Sequence, residues 1–513
     1  MPDAVERFRK LTGKPKRSRR EEGRPPVPPR EWALVTLLLI NILWLSFALG
    51  GVRLWGEITA LFLSLATLFL LPRWNRGEIQ GQPSPVFTLL KLPLFWFGLG
   101  LFVYFWIQSW NLAWEWTLVP DAKPKLVSQT PIVPWLPSGL FSPFEESNPV
   151  RSMIYYTIPW IACCSAWAGL MTRRSVGLLL HGLAISGLLF AIVALRQHFL
   201  DLDRILGIFP TVPSKVRADI PFWGTLVNEN HAAFYLILVN GLCLGLFLSG
   251  WHRDIRLFKK GGGAWMLYLG FGIVASFAAL MAQARGAIGF LVLQWILFLI
   301  ICSVFLVRSF GKRGIAFPIT VVALMATLLL TFVVNPAIFE RQKKEWIETF
   351  NLVENPELEA RYFMTRIGWD MIKDKPWYGH GAGGWRYIHF PYKAKYPEFI
   401  TEHNQWKPNP YTGKRERRKV TTWFQNAHVD LLEYVIEWGI VGCLFPLMAA
   451  GWLVSRAIRS YRGWDAGGLT ILMTVLVVWL GAAVEFHFRI PLVLLAWCLA
   501  FTTITKLSDL QAP

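Results

Sequence analysis

Met281-Ala282-Gln283-Ala284-Arg285-Gly286-Ala287 holds a single charge between two apolar blocks, running roughly 264–282 and 286–307. Each block has about the 20 residues needed to cross a hydrocarbon core about 30 Å thick. Only a few small residues join them, so the segment reads as a tight turn between two membrane-crossing helices. An arginine there is costly unless it is paired or faces water. Either it snorkels to the headgroups as an anchor or it faces a cavity.

Outward from this turn the same block length recurs. Spans are expected at roughly 32–50, 54–72, 93–113, 153–171, 176–197, 231–249, 264–282, 286–307, 315–334, 430–455, 467–484 and 487–506. The expected fold is an all-α polytopic membrane protein of about 12 transmembrane helices. Composition agrees: 54% of residues are hydrophobic and 17% charged, where a soluble domain carries about 25% charged. The net charge of +19 does not point to nucleic acid, because the basic residues sit mainly between the apolar blocks. The lipid bilayer is the expected partner. All six cysteines lie inside apolar blocks with no CxxC or Cys/His spacing, as expected for buried small hydrophobes.

Four regions follow: a basic tail at 1–30, spans 1–9 over 31–334, a large loop at 335–427, and spans 10–12 over 428–506. The tail carries 10 Lys/Arg against 4 acids and resembles a cytoplasmic arm near anionic lipid. Its length, with no small-residue cleavage site after the first apolar block, argues against a signal peptide. With the N-terminus in the cytoplasm, 26 basic residues fall inside and 10 outside, leaving aside the 16 of the long loop. The positive-inside rule therefore favours this orientation, with the C-terminus also cytoplasmic. Within the loop, Phe363, Met364, Ile367 and Met371 follow helical spacing, which suggests a short amphipathic helix on the membrane surface. Lys375-Pro376 should stop it, and Gly379–Gly384 should form a glycine-rich turn whose backbone approaches an anion or another segment.

In this topology the unusual polar residues near span ends share the outer side. They are Asn228, Asn230 and His231, then Arg285, Arg361, His428 and Asp430, and finally Glu485, His487 and Arg489. Arg285 and Arg361 have the planar donors that clamp a diphosphate, though an interfacial anchor and a solvated helix face explain them as well. His428, where the long loop meets a span, could act as a general base or simply bond the helix entry. Asp430 suits the first turn of a helix. Asp201-Leu202-Asp203 has metal-binding DxD spacing but is common by chance, and no metal site is expected.

These pieces, in order, resemble the O-antigen ligase and polymerase superfamily. They are Gly224–His231, Ala284-Arg285-Gly286, Arg361…Trp369…Asp374-Lys375-Pro376…Gly379-His380-Gly381, and Ala427-His428-Val429-Asp430…Glu437-Trp438-Gly439 through Gly442. The resemblance covers about 224–442. It departs from the pattern at Glu229, Gln283 and Val429. It implies a metal-independent, inverting glycosyltransferase of the bacterial inner membrane, with no cofactor and a periplasmic active site in and around the loop between spans 9 and 10. The donor would be a glycan on undecaprenyl diphosphate. The acceptor would be lipid A core, another glycan or a protein hydroxyl. The family's basic residues fall on Arg285 and Arg361 and its loop histidine on His428, as catalytic groups. Asn228, Asn230, His231, Gly379, Gly381 and Asp430 would contact substrate, and Trp377, Trp385, Tyr387 and Trp406 could stack on sugars. A twelve-span transporter and a non-catalytic envelope scaffold are the alternatives, although no matching second half or mid-span charge pair is visible.

Overall fold

The computed structural model describes residues 26–71, 85–117, 125–200, 202, 204–210, 223–256, 263–310, 319, 356–397, 403–408, 415–420, 424–460 and 463–511. The chain is mostly helical. Its helices are α1 (Pro29–Phe47), α2 (Leu54–Leu70), α3 (Pro85–Leu90), α4 (Pro93–Trp110), α5 (Pro149–Gly169), α6 (Arg173–Phe199) and α7 (Glu229–Arg256). Then come α8 (Met266–Met281), α9 (Arg285–Phe310), α10 (Pro356–Asp374), α11 (Trp385–Lys393), α12 (Asp430–Arg459), α13 (Ala466–Gly481) and α14 (Pro491–Gln511). Helices occupy the positions expected for the first eight and the last three spans. The ninth, 315–334, lies almost entirely outside the described residues, as do the basic tail and both aspartates of the DxD. Among the described residues, α1, α6, α7, α9, α12 and α14 are long and apolar enough to cross a membrane, and α2, α8 and α13 are shorter apolar helices.

Local chemistry sets the helix ends. Pro149 opens α5 behind Asn148, whose side chain accepts the Arg151 N–H at 2.8 Å. Thr172 caps α6 and Asp465 caps α13 in the same way. In the bundle interior, Gly241 and Gly245 of α7 face Thr474 and Ile471 of α13, and Gly467 faces the Gly245 carbonyl. Small residues here let the two backbones approach closely.

A polar layer fixes the register of three of these helices. The Gln294 amide of α9 donates to the Ile237 carbonyl at 2.8 Å and the Thr474 hydroxyl at 3.0 Å, and accepts from Asn240 at 2.7 Å. Each of these helices then continues seven to nine residues to its end at Glu229, Arg285 or Gly481. At about 1.5 Å per residue, those ends emerge at nearly one height, roughly 10–13 Å from the layer. Arg285 thus shares an end of the bundle with Asn230 and the turn after Gly481.

Three departures from the expected fold stand out. The chain is not all-α: β1 (Leu112–Thr117) pairs antiparallel with β2 (Lys125–Ser128) and parallel with β3 (Gly139–Phe141). Two small hairpins, β4 (Arg204–Ile205) with β5 (Phe209–Pro210) and β6 (His403–Pro408) with β7 (Arg415–Val420), add to this. The second departure concerns α10. Its apolar stripe does not lie open for a membrane surface, because Phe363, Met364, Ile367 and Met371 pack with Trp385, Ile388, Tyr396, Ala427 and Ile436. Helical spacing reveals an apolar face but not whether lipid or protein covers it. The third is that Trp385 and Tyr387 are buried within the loop core, so their rings are not open to stack on a sugar, whereas Trp377 is exposed.

The glycine-rich turn is used by the protein itself. Helix α12 is broken at Gly439, with φ 63° and ψ −176°. The Lys375–Gly384 segment inserts there. His380 and Gly381 N–H groups donate to the Ile436 and Glu437 carbonyls, each at 2.9 Å. Ile440 and Val441 return the bonds to Pro376 and Trp377 at 2.9 and 3.0 Å. The groups orphaned by the break are thereby satisfied. The cysteines pack as expected: Cys163, Cys164, Cys243 and Cys302 are buried, Cys443 and Cys498 half-buried.

Candidate active site at one end of the bundle

Asp430, Glu433 and Glu437 are spaced by three and four residues, which puts their carboxylates on one face of α12. All three are buried, an arrangement that demands a cation. Arg489, in the turn before α14, supplies it. Its guanidinium bonds Glu437 at 2.8 Å and Glu433 at 3.1 Å, and lies 4.0 Å from Asp430. It also sits over the Tyr434 ring at 5.1 Å. The Asp430 carboxylate also accepts the Phe488 N–H at 2.8 Å, which ties α12 to the same turn. Among the described residues, no group of three or more His, Cys, Asp or Glu is disposed to hold a metal ion.

Glu433 reaches back across the helix entry. Its carboxylate accepts the Ala427 N–H at 2.8 Å and the Asn426 side-chain amide at 3.3 Å. The next residue, His428, has φ 58°, a left-handed conformation uncommon for a residue with a side chain. Its ring meets Phe486 edge-on at 4.7 Å. The same Phe486 ring meets His231 of α7 at 4.6 Å.

The residues just before Phe486 hold Arg361. Its guanidinium donates to the Val484 carbonyl at 3.0 Å and to the Glu485 carboxylate at 2.8 Å. Asn230 donates to the same Glu485 oxygen at 3.2 Å. The Glu485 carbonyl accepts the Asp430 N–H at 3.2 Å. Val484-Glu485-Phe486 therefore brings Arg361, Asn230, His231 and His428 to one place. Arg285 opens α9, half-buried, at the same end of the bundle.

The remaining expected contacts have other employment. Asn228 caps α7, its side chain accepting the Asn230 N–H at 2.8 Å. Asp430 is fully buried beside Arg489. The Gly379 N–H donates to the Lys375 carbonyl within its own turn, and the Gly381 N–H donates to the Glu437 carbonyl of α12. Sequence reasoning missed Glu433, Glu437 and Phe486. The three-and-seven spacing of carboxylates in an apolar span was the available signal for the first two; nothing marked Phe486.

Residues 270–447 match the family model described as Wzy_C, O-Antigen ligase. This segment is similar to the O-antigen ligase superfamily. It contains Arg285, Arg361 and His428, together with the Glu433 and Glu437 carboxylates, while Asn230, His231 and the 484–489 turn lie outside it. None of the curated proteins matches the chain. The chain is thus a helical protein with helices long and apolar enough to cross a membrane, and it carries an O-antigen ligase-like segment.

Proposed function

We propose that the protein is an inverting glycosyltransferase that moves a glycan from a lipid diphosphate, undecaprenyl diphosphate by the family resemblance, to an acceptor hydroxyl. The observation that carries this reading is the Val484–Phe486 turn. Its first two residues bond Arg361, whose donors suit phosphate oxygens, and its third meets the ring of His428, whose nitrogens suit a proton, which supports this reading. In the step proposed, the acceptor oxygen attacks the anomeric carbon, His428 takes the hydroxyl proton, and the bond to the diphosphate oxygen breaks. Negative charge gathers on the leaving diphosphate. Arg361, oriented by Glu485, and Arg285 stabilise that charge where water is partly excluded. Asn230 and His231 line the same place. The twelve-span arrangement, with both termini cytoplasmic and this end periplasmic in the bacterial inner membrane, belongs to the same proposal. So do a mechanism without metal and the three acceptors: lipid A core, another lipid-linked glycan, or a protein hydroxyl.

The test supplies membranes bearing the protein with a lipid-diphosphate-linked oligosaccharide and a mixed acceptor pool, in the presence of chelator. Lipid diphosphate release and labelled product are followed together. Wild type should transfer glycan, and His428→Ala, Arg285→Ala and Arg361→Ala should insert normally yet lose turnover. Full activity in His428→Ala would remove the general-base assignment, and no donor consumption with any acceptor would favour the transporter or scaffold readings.

A further inference from the structure

We propose that Glu433 is a positioning residue for His428, acting through the backbone at the entry to α12. His428 adopts a left-handed backbone that a histidine does not favour, so something must hold it there. The holding contacts are on the two residues before it. The Glu433 carboxylate accepts the Ala427 N–H at 2.8 Å through one oxygen and the Asn426 amide at 3.3 Å through the other. Ala427 is itself buried, in the core that also contains Ile367, Trp385 and Ile436. Glu433 is held in turn by the Arg489 guanidinium at 3.1 Å, and the same guanidinium nitrogen is also held by Glu437 at 2.8 Å. Glu437 accepts the Trp385 N–H at 3.3 Å. The chain from Trp385 to Ala427 is thus continuous and made of buried charged bonds. Its free end is the turn on which His428 stands.

Glu433 touches no part of the Val484–Phe486 turn in any contact described above. Its direct route to the His428 backbone is through Asn426-Ala427; its other bond is to Arg489, three residues beyond Phe486. An apolar side chain at 433 would leave the Ala427 N–H buried and without an acceptor, and would let the turn relax from its left-handed form. His428 would then swing from its seat against Phe486. Binding of the donor, which the arginines govern, would be left largely intact.

This inference rests on the reading of His428 as the base, and the experiment separates the two. Glu433→Ala, Glu433→Gln and His428→Ala are prepared in membranes with insertion checked, alone and as the Glu433→Ala/His428→Ala pair. Glu433→Ala should lower kcat by about a hundredfold, within the range a general base contributes, with KM for the lipid-diphosphate donor within about twofold of wild type. Glu433→Gln keeps an oxygen for the Ala427 N–H and should recover about a tenth of the rate, at the cost of a weaker hold on Arg489. Combined with His428→Ala, loss of Glu433 should add nothing, because both variants remove one function. Added imidazole should restore rate to His428→Ala and to the pair alike. An inactive His428→Ala alongside a Glu433→Ala with wild-type kcat would overturn the Glu433 assignment alone. Additive losses, or imidazole rescue abolished in the pair, would also overturn it, making Glu433 a structural or directly reacting group. A fully active His428→Ala would overturn both readings together.

Discussion

Replacing Gly439 by alanine should open the joint between the glycine-rich turn and α12. The backbone there, at φ 63° and ψ −176°, lies in a region that is essentially glycine's alone. A side chain in such a conformation costs of the order of 1–3 kcal/mol. Crowding adds to this, because a Cβ on Gly439 would overlap the Trp377 carbonyl and come within 2.5 Å of the Gly379 nitrogen. Those atoms cannot simply step aside. The Trp377 carbonyl accepts the Val441 N–H at 3.0 Å, and Gly379 has its own positive φ of 67°. Relief therefore means separating the two segments and loosening the four backbone bonds across the joint, each worth about 1 kcal/mol net. Strain of about 1–3 kcal/mol, with about half the worth of the four loosened bonds lost, amounts to about 3–5 kcal/mol, enough to raise the frequency of local opening by about a hundredfold to a thousandfold or more. Amide hydrogen exchange on the protein in lipid nanodiscs reads this directly. The His380, Gly381, Ile440 and Val441 amides should exchange faster by that factor, while those of α7 stay at wild-type rates. Gly451→Ala, in the same helix but with open space where a Cβ would go, should leave all of them unchanged. Wild-type protection at the four amides in Gly439→Ala would refute the account of the joint.

Three further outcomes are expected. Arg489→Met strands three buried carboxylates and should cost about 3–5 kcal/mol, seen as a marked fall in thermal unfolding temperature; Arg489→Lys should recover part of it. Glu485→Gln weakens the hold on Arg361 and Asn230, so kcat/KM for the lipid-diphosphate donor should fall by about tenfold to a hundredfold, the worth of one charge-assisted bond. The third concerns pH. Burial lowers the His380 and His389 pKa values to about 4. Their folded values lie below the unfolded value of about 6.5, so the unfolded segment binds more protons, and packing weakens as pH falls from about 6.5 toward 4. Exchange protection of the α11 amides should drop over that window once intrinsic rates are allowed for, and His389→Leu should shallow the drop.

The sequence made the helical bundle legible because block length is a strong constraint: only about 20 apolar residues cross a membrane, and each such block shows itself without reference to its neighbours. The clustering of Asn230, His231, Arg361 and His428 was also legible, since all four stand near the ends of expected spans or in the long loop and were assigned to one side. Other features depend on pairing across long separations. The sheet joining Leu112–Thr117 to Gly139–Phe141 carries no hairpin signature, because that pair is parallel. The stripe on α10 announced an amphipathic helix but not its cover, which comes from Trp385, Ile388 and Ile436. Gly379 and Gly381 announced a tight approach without saying to what. For Gly379 the answer is Glu437 and Gly439 of the broken helix, and for Gly381 it is the backbone of Ser138-Gly139. The left-handed backbone of His428 has no sequence mark at all.

The matched O-antigen ligase segment does not make the site by itself. Arg285, Arg361 and His428 lie within residues 270–447, but the groups that orient two of them lie beyond it. Glu485 holds Arg361, Phe486 meets His428, and Arg489 balances the carboxylates from which Glu433 reaches the His428 turn. All three belong to the short connection between α13 and α14. Asn230 and His231, from the start of α7, complete the surroundings on the other side. A cation and a proton acceptor on separate parts of a flexible loop would move independently. Anchoring both to consecutive residues of one turn, itself clamped between two helices, makes their separation a property of the bundle. The division of labour that follows is physical: the loop brings Arg361 and His428, and the connection between the last two helices ties them to consecutive residues.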